Sequence, residues 1–192
     1  MKKLLLLTVL SGLFLFGCSD VGTNNITEPV TSPSAGSKQI VKLPERQNVS
    51  TEWSWSTWKR FNNKETDKIV LTDQYTSLSG KTVTVTAVLT VPAGAFDADQ
   101  EDITMTADDG TATLTFTPHM VFNKPLTLDV TYSGLDLRTM IKMLPHLGFY
   151  YIDDNGSITP IANQGIRYNI FTGTISVKGA QIEHFSRYGF IT

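Results

Sequence analysis

Several side chains in this 192-residue chain are of types that can do chemistry. Cys18 is the single cysteine, so its thiol has no partner for a disulfide within the chain. His184 and Ser186 stand two positions apart in the closing stretch QIEHFSRYGFIT. One brings an imidazole that can move protons, the other a hydroxyl that can act as a nucleophile. Trp53, Trp55 and Trp58, in WSWSTW, are flat indoles that either stack on sugar rings or fill a core. Asp97, Asp99, Glu101 and Asp102 gather carboxylates, the oxygen donors that a hard cation such as calcium prefers.

Most of these groups have a plainer reading. A calcium loop begun at Asp97 needs Gly at its sixth position and Glu at its twelfth, where this chain has Asp102 and Asp108. The acidic cluster therefore reads as a solvated loop, and no metal is expected. His119, His146 and His184 are scattered, with no H-E-x-x-H, so zinc is not expected either. No G-x-S-x-G elbow, P-loop or dinucleotide fingerprint occurs, which disfavours a metabolic enzyme and any cofactor. The net charge is −2 and the isoelectric point about 5.9, with no basic stripe to neutralise phosphates. Nucleic acid is excluded as a partner on that ground.

The chain opens on MKKLLLLTVLSGLFLFGC, which has the plan of a targeting segment. Lys2 and Lys3 make a positive start, and Leu4 to Phe16 make an apolar run shorter than the roughly 20 residues of a spanning helix. Leu15-Phe16-Gly17-Cys18 resembles the bacterial lipobox, departing from its usual small residue at Phe16. The resemblance implies residues 1–17 as a lipoprotein signal peptide, cleaved before Cys18. It also implies a diacylglycerol thioether on Cys18 and an acyl chain, such as palmitate, on the new terminus. Several acyl chains on one residue give the firm membrane anchoring that a single chain does not. Ser19 after the cysteine implies sorting to the outer membrane of the cell envelope.

Residues 18–47 read as the lipidated terminus and a tether, since SDVGTNNITEPVTSPSAGSKQIVKLPE is nearly free of large apolar residues and too polar to form a core. Residues 48–192 read as one domain. Val83, Val85, Ala87, Leu89 and Val91 alternate with mostly Thr, the period of a half-buried strand. Ile103, Met105 and Ala107 repeat the pattern, Asp109-Gly110 turns the chain, and Ala112, Leu114 and Phe116 answer it. Leu126, Leu128, Val130 and Tyr132 give another strand, and Asp154-Asn155-Gly156 another turn. Only LDLRTMIKML has helical spacing, through Leu137, Ile141 and Leu144, with Pro145 expected to stop it. The expectation is an all-β fold, a Greek-key-like antiparallel β-sandwich.

Val91-Pro92-Ala93-Gly94-Ala95 and Phe122-Asn123-Lys124-Pro125-Leu126-Thr127-Leu128 resemble paired blocks of the ZU-five domain, a sandwich found in ankyrins and netrin receptors. His184-Phe185-Ser186 adds a third block. The resemblance implies an interaction platform. It also implies one reaction, because His-Phe-Ser resembles a self-cleavage motif of related domains. There the serine hydroxyl attacks the preceding carbonyl, with histidine assisting proton transfer, and the resulting ester is hydrolysed. Carried over, Ser186 is the nucleophile, His184 the acid–base group and Phe185–Ser186 the scissile bond. Period two read through the closing stretch puts His184 and Ser186 on the core face and Phe185 on the other. The expectation is that they hydrogen-bond within the sandwich and the C-terminus stays intact.

Together these readings give a lipid-anchored binding or scaffolding module of the bacterial envelope, held to the membrane through Cys18 and facing an unidentified protein or glycan. A carbohydrate-binding module using Trp53, Trp55 and Trp58 is one alternative, and a self-cleaving domain the other. The tryptophans are expected to be core.

Overall fold

The computed structural model describes residues 38–47 and 55–192; the targeting segment, Cys18 and Trp53 lie outside them. The described residues form two sheets. In the six-stranded sheet, β1 (Trp55–Asn62), β4 (Gln100–Ala107), β5 (Thr113–Thr117), β11 (Arg187–Ile191), β7 (Gly148–Ile152) and β8 (Ile158–Pro160) lie in that order. In the five-stranded sheet the order is β2 (Asp67–Thr76), β3 (Thr82–Val91), β6 (Val121–Ser133), β10 (Thr174–His184) and β9 (Gly165–Asn169). Every pairing is antiparallel. Neighbours such as β1–β4, β3–β6 and β6–β10 are joined through the opposite sheet, so this is an all-β sandwich with Greek-key-like connections.

Alternation builds the core. On β3, Val83, Val85, Ala87, Leu89 and Val91 are all buried while the residues between them face outward. On β10 the parity changes partway: Ile175 and Val177 are buried, then Ala180 and Ile182. The register against β6 shifts between Val177 and Ala180, so the extra residue keeps the apolar side chains on the core face. Gly179 takes φ +61° there, and its N–H donates to Asp129 Oδ1 at 2.7 Å. Pro125, in mid-β6, lies outside the β3 register and beside a second shift between Ile182 and His184, where no ladder donor is missed. The expected turns form as well. Asp108 Oδ1 accepts from the N–H groups of Gly110 and Thr111 at 2.9 and 2.7 Å, closing the β4–β5 hairpin.

Three expectations are corrected. The tether does not run to residue 47: Val41 and Leu43 are buried, and residues 38–47 belong to the sandwich. Val41 N–H donates to Phe190 O and Ala112 N–H donates to Val41 O, so this strap wedges between the splayed ends of β5 and β11. It then crosses to the other sheet, where Gln47 N–H donates to Thr76 O. Burying each such side chain contributes about 1.5–3 kcal/mol, which together with the backbone hydrogen bonds offsets part of the cost of ordering the segment.

The helix expected from Leu137, Ile141 and Leu144 is instead a run of turns ending in a 3₁₀ turn, Leu144–His146. Leu137 and Leu144 are buried but Ile141 points to solvent, so the apolar stripe that would hold a helix is incomplete. Pro145 sits inside the 3₁₀ turn rather than stopping a helix, at a position whose N–H needs no partner.

The third correction concerns QIEHFSRYGFIT, which is not one strand. β10 ends at His184 in the five-stranded sheet and β11 begins at Arg187 in the six-stranded one. The crossing interrupts the alternation, so Phe185 faces the core at 1% exposure, while Ile182 before it and Tyr188 and Phe190 after it still hold the inward positions.

Gly134, just after β6, has φ +77°, and a Cβ placed there would lie 2.0 Å from Thr82 O. Gly156 has φ +80° with open space around it. Gly156→Ala should therefore cost only about 1–2 kcal/mol of left-handed strain. Gly134→Ala should cost clearly more in urea unfolding, because backbone must also move. Equal losses at the two sites would contradict the packing assigned to Gly134.

Candidate functional site

The sequence candidates fall in separate places. Trp55 and Trp58 leave β1 on opposite faces, as an odd spacing on a strand requires. Trp55 is 3% exposed. Its indole is covered by the Arg46 guanidinium, 4.3 Å from the ring centre, and by Tyr75, 5.5 Å centre to centre. Arg46 also lies 4.6 Å from the Tyr75 ring, so the cation is held between two aromatic faces. Among the described residues its Nε and Nη2 find no acceptor, so the rings are its main partners. Tyr75 OH donates to Pro44 O at 2.5 Å, and burial pushes its hydroxyl pKa up to about 12. This corner joins the strap to both sheets and leaves no free indole face at Trp55. Sequence reasoning picks out neither Arg46 nor Tyr75, although the alternation Ile69, Leu71, Tyr75 on β2 carries the signal for Tyr75.

Trp58 is 67% exposed on the outer face of the six-stranded sheet. It pairs with Thr104 on β4, which pairs with Thr117 on β5. The next row along is Ser56, Thr106 and Thr115, where Thr106 Oγ1 donates to Ser56 Oγ at 3.2 Å. On the other side of Trp58, Arg60 grips Asp102 through two hydrogen bonds of 2.7 and 2.6 Å. The hydrogen bond from Arg60 lowers the Asp102 carboxyl pKa below its ordinary value. The outcome, among the described residues, is one exposed indole on a sheet face lined by hydroxyls, with a charged pair at one edge.

The acidic cluster is not gathered on one point. Asp97 Oδ1 accepts from Asn123 Nδ2 at 2.7 Å, while Asp102 faces Arg60. Among the described residues no group of three or more His, Cys, Asp or Glu converges. His119 and His146 are exposed, at opposite turns of the chain.

The three short blocks Val91–Ala95, Phe122–Leu128 and His184–Ser186 do meet, at one end of the sandwich. Asn123 N–H donates to Ala95 O at 2.8 Å, and Lys124 Nζ donates to Ala93 O at 2.7 Å. Phe185 meets Phe122 edge-on at 4.6 Å and stacks on Phe116 at 5.3 Å. Both sides of the Phe185–Ser186 peptide are held: Phe185 N–H donates to Met120 O at 2.8 Å and Phe116 N–H donates to Ser186 O at 3.0 Å. His184 turns elsewhere. Its ring meets Tyr151 edge-on at 4.5 Å, and its Nδ1 lies 3.5 Å from Tyr188 OH, which donates to His184 O at 2.5 Å. Burial raises the Tyr188 hydroxyl pKa, so that phenol stays protonated at neutral pH. No hydrogen bond joins His184 to Ser186 among the described residues.

No protein-family model, curated protein or solved structure matches this chain.

The two tryptophans should respond oppositely to truncation. Trp55→Ala should cost about 3–5 kcal/mol, since it empties a packed corner and uncovers Arg46. Trp58→Ala should stay within about 0.5 kcal/mol of the parent. Urea midpoints of both variants check this, and a large loss at Trp58 would contradict its exposed placement.

The closing corner carries its own expectation. The seven residues beyond Phe185 include β11, which lies between β5 and β7 in the middle of its sheet. A chain cut at Phe185–Ser186 would keep that strand in place, so native chromatography is blind to the cut. Intact mass under denaturing conditions should show a single species ending at Thr192. A species ending at Phe185, lost on Ser186→Ala, would establish self-cleavage.

Proposed function

We propose that this chain is a lipid-anchored binding module of the bacterial cell envelope, carried on the outer membrane through Cys18. In this reading it is a sandwich of the ZU-five kind that acts through its surface. The observation that carries the reading is Trp58, a large aromatic left 67% exposed on a flat sheet face. Isolated exposed leucines and valines are ordinary, but an open indole with aligned hydroxyls is a recognition surface in chemical terms. One face of an indole stacks on the C–H side of a sugar ring, and the Ser and Thr rows offer hydrogen bonds to sugar hydroxyls. A saccharide chain laid across β1, β4 and β5 is the ligand this face fits. The glycan reading thus rests on Trp58 alone, since Trp55 is buried and Trp53 lies outside the described residues.

Two measurements test the proposal separately. Mass spectrometry of the protein extracted from membranes should show Cys18 as the first residue, carrying diacylglycerol and an N-acyl chain. An unmodified Cys18 would sink the anchoring half. Retention on immobilised envelope and cell-wall glycans should fall at least about tenfold on Trp58→Ala with the melting midpoint unchanged. Glycan retention that ignores Trp58, or no retention on any glycan, rejects the saccharide half.

A further inference from the structure

The two ends of the sandwich differ in chemistry, and the difference points at a lipid surface. At one end lie the β2–β3 turn, the β6–β7 loop, the β9–β10 turn and the strap that begins at Lys38. Phe171, at the tip of the β9–β10 turn, is 93% exposed, and Leu78, on the β2–β3 turn, is 60% exposed. Ile141 and Met143 stand out from the β6–β7 loop beside them. Leu78 and Met143 line a groove of about 990 Å³ and Phe171 a smaller one of about 360 Å³, which share Leu135 and Asp136 as a common wall. The charged residues lining the two are Lys38, Lys42, Lys81 and Arg138 against Glu45 and Asp136, an excess of positive charge. Lys142 on the β6–β7 loop adds a fifth positive charge and the Asp108-Asp109 turn two negative ones, so these groups at this end carry five positive charges against four negative. Loops at the opposite end carry Asp97, Asp99, Asp153 and Asp154.

We infer that the Phe171–Leu78–Ile141 end is a membrane-contact surface that rests in the interfacial layer of a bilayer containing anionic lipid. The inference builds on the lipid-anchor reading. The described chain starts at Lys38 on this end, twenty residues after Cys18, so this is the end to which the anchor is joined along the chain. Apolar tips lose contact with water by entering the headgroup boundary, and flanking Lys and Arg are drawn to anionic headgroups. The contact adds to the acyl chains and fixes which way the sandwich faces.

The probe is the mature chain with Cys18→Ser, made without residues 1–17, so that neither acyl chains nor leader can carry it to lipid. It should sediment with vesicles of equal parts phosphatidylethanolamine and phosphatidylglycerol, far less with pure phosphatidylcholine, and less as salt rises. The double substitution Phe171→Ser with Leu78→Ser should weaken vesicle binding by more than about tenfold, from the lost apolar burial. Both side chains are exposed, so an unchanged circular-dichroism melt confirms that the variant is folded. Absence of binding to the anionic vesicles overturns the inference, as does binding that survives the double substitution. A dimer in sedimentation velocity, lost in the same variant, would assign the surface to a second copy instead. Failure of the anchor reading shows independently, as unmodified Cys18 in protein from cells.

Discussion

Phe185 is the point where the chain leaves one sheet for the other, and the packing of both sheets leans on it. Its ring is buried between Phe116 of the six-stranded sheet and Phe122 at the start of β6 in the five-stranded one. That wedge sets where β11 begins, and β11 in turn fills the gap between β5 and β7. Tyr132 on β6 then spans the interior further along. Its hydroxyl donates to Thr113 O of the opposite sheet at 3.2 Å and its ring meets Phe190 of β11 at 6.1 Å. A buried phenol that keeps its hydrogen bond adds apolar area without leaving a polar atom unpaired. Burial drives the Tyr132 hydroxyl pKa upward, as the low-dielectric interior disfavours a phenolate.

Closing such a sandwich leaves edges and ends to be managed. β1 and β2 are the edge strands on one side, one in each sheet, and Lys59 ties them. Its Nζ lies 2.7 Å from Asp67 Oδ2 and donates to Lys68 O at 3.0 Å, placing a charge beside an edge that would otherwise invite pairing. The strap does the corresponding work at one end, with Arg46 stacked on Trp55 and Tyr75. Because a single segment closes that end and, among the described residues, no counterpart closes the other, the ends are free to carry different loops and different charge.

Most of the fold is legible in the sequence because central strands have undiluted alternation. β3 and β6 are flanked on both sides, so each inward position must be apolar, and the pattern Val83 to Val91 is unbroken. β1 and β2 are harder to read for the same reason in reverse. Their inward positions near the rim accept Thr57, Lys59 and Asp73, which erase the period-two signal. The strap hides in a polar segment because only Ile40, Val41 and Leu43 mark it. At the closing corner the reasoning fails more deeply. Period two holds within one sheet, and where the chain crosses between His184 and Arg187 it lapses for Phe185, although Ile182, Tyr188 and Phe190 keep the inward positions. His184 and Ser186 therefore part company although their spacing on an unbroken strand would unite them. For the tryptophans, the rule that sends indoles inward holds at Trp55 and fails at Trp58, on the same strand.

The geometry of a sandwich makes the two surface assignments compatible. Strands run from the basic end to the acidic end, so a domain resting on a bilayer by the Phe171 loops stands with its strand direction steep to the membrane. Both sheet faces are then exposed sideways to solvent, neither pressed against lipid. On β1, Trp55 lies toward the basic end, where it meets the strap, and Asn62 toward the acidic one, where it pairs with Gln100. Trp58 falls between them, so on a domain resting by the Phe171 loops it would stand clear of the membrane but close to it. An anchor that held the domain by the acidic end would invert this, and one that let it tumble would leave the Trp58 face without a fixed direction. Contact at the loop end, as proposed, would give the exposed indole a constant height and heading over the lipid, which is what a module needs to meet a polymer lying parallel to that surface.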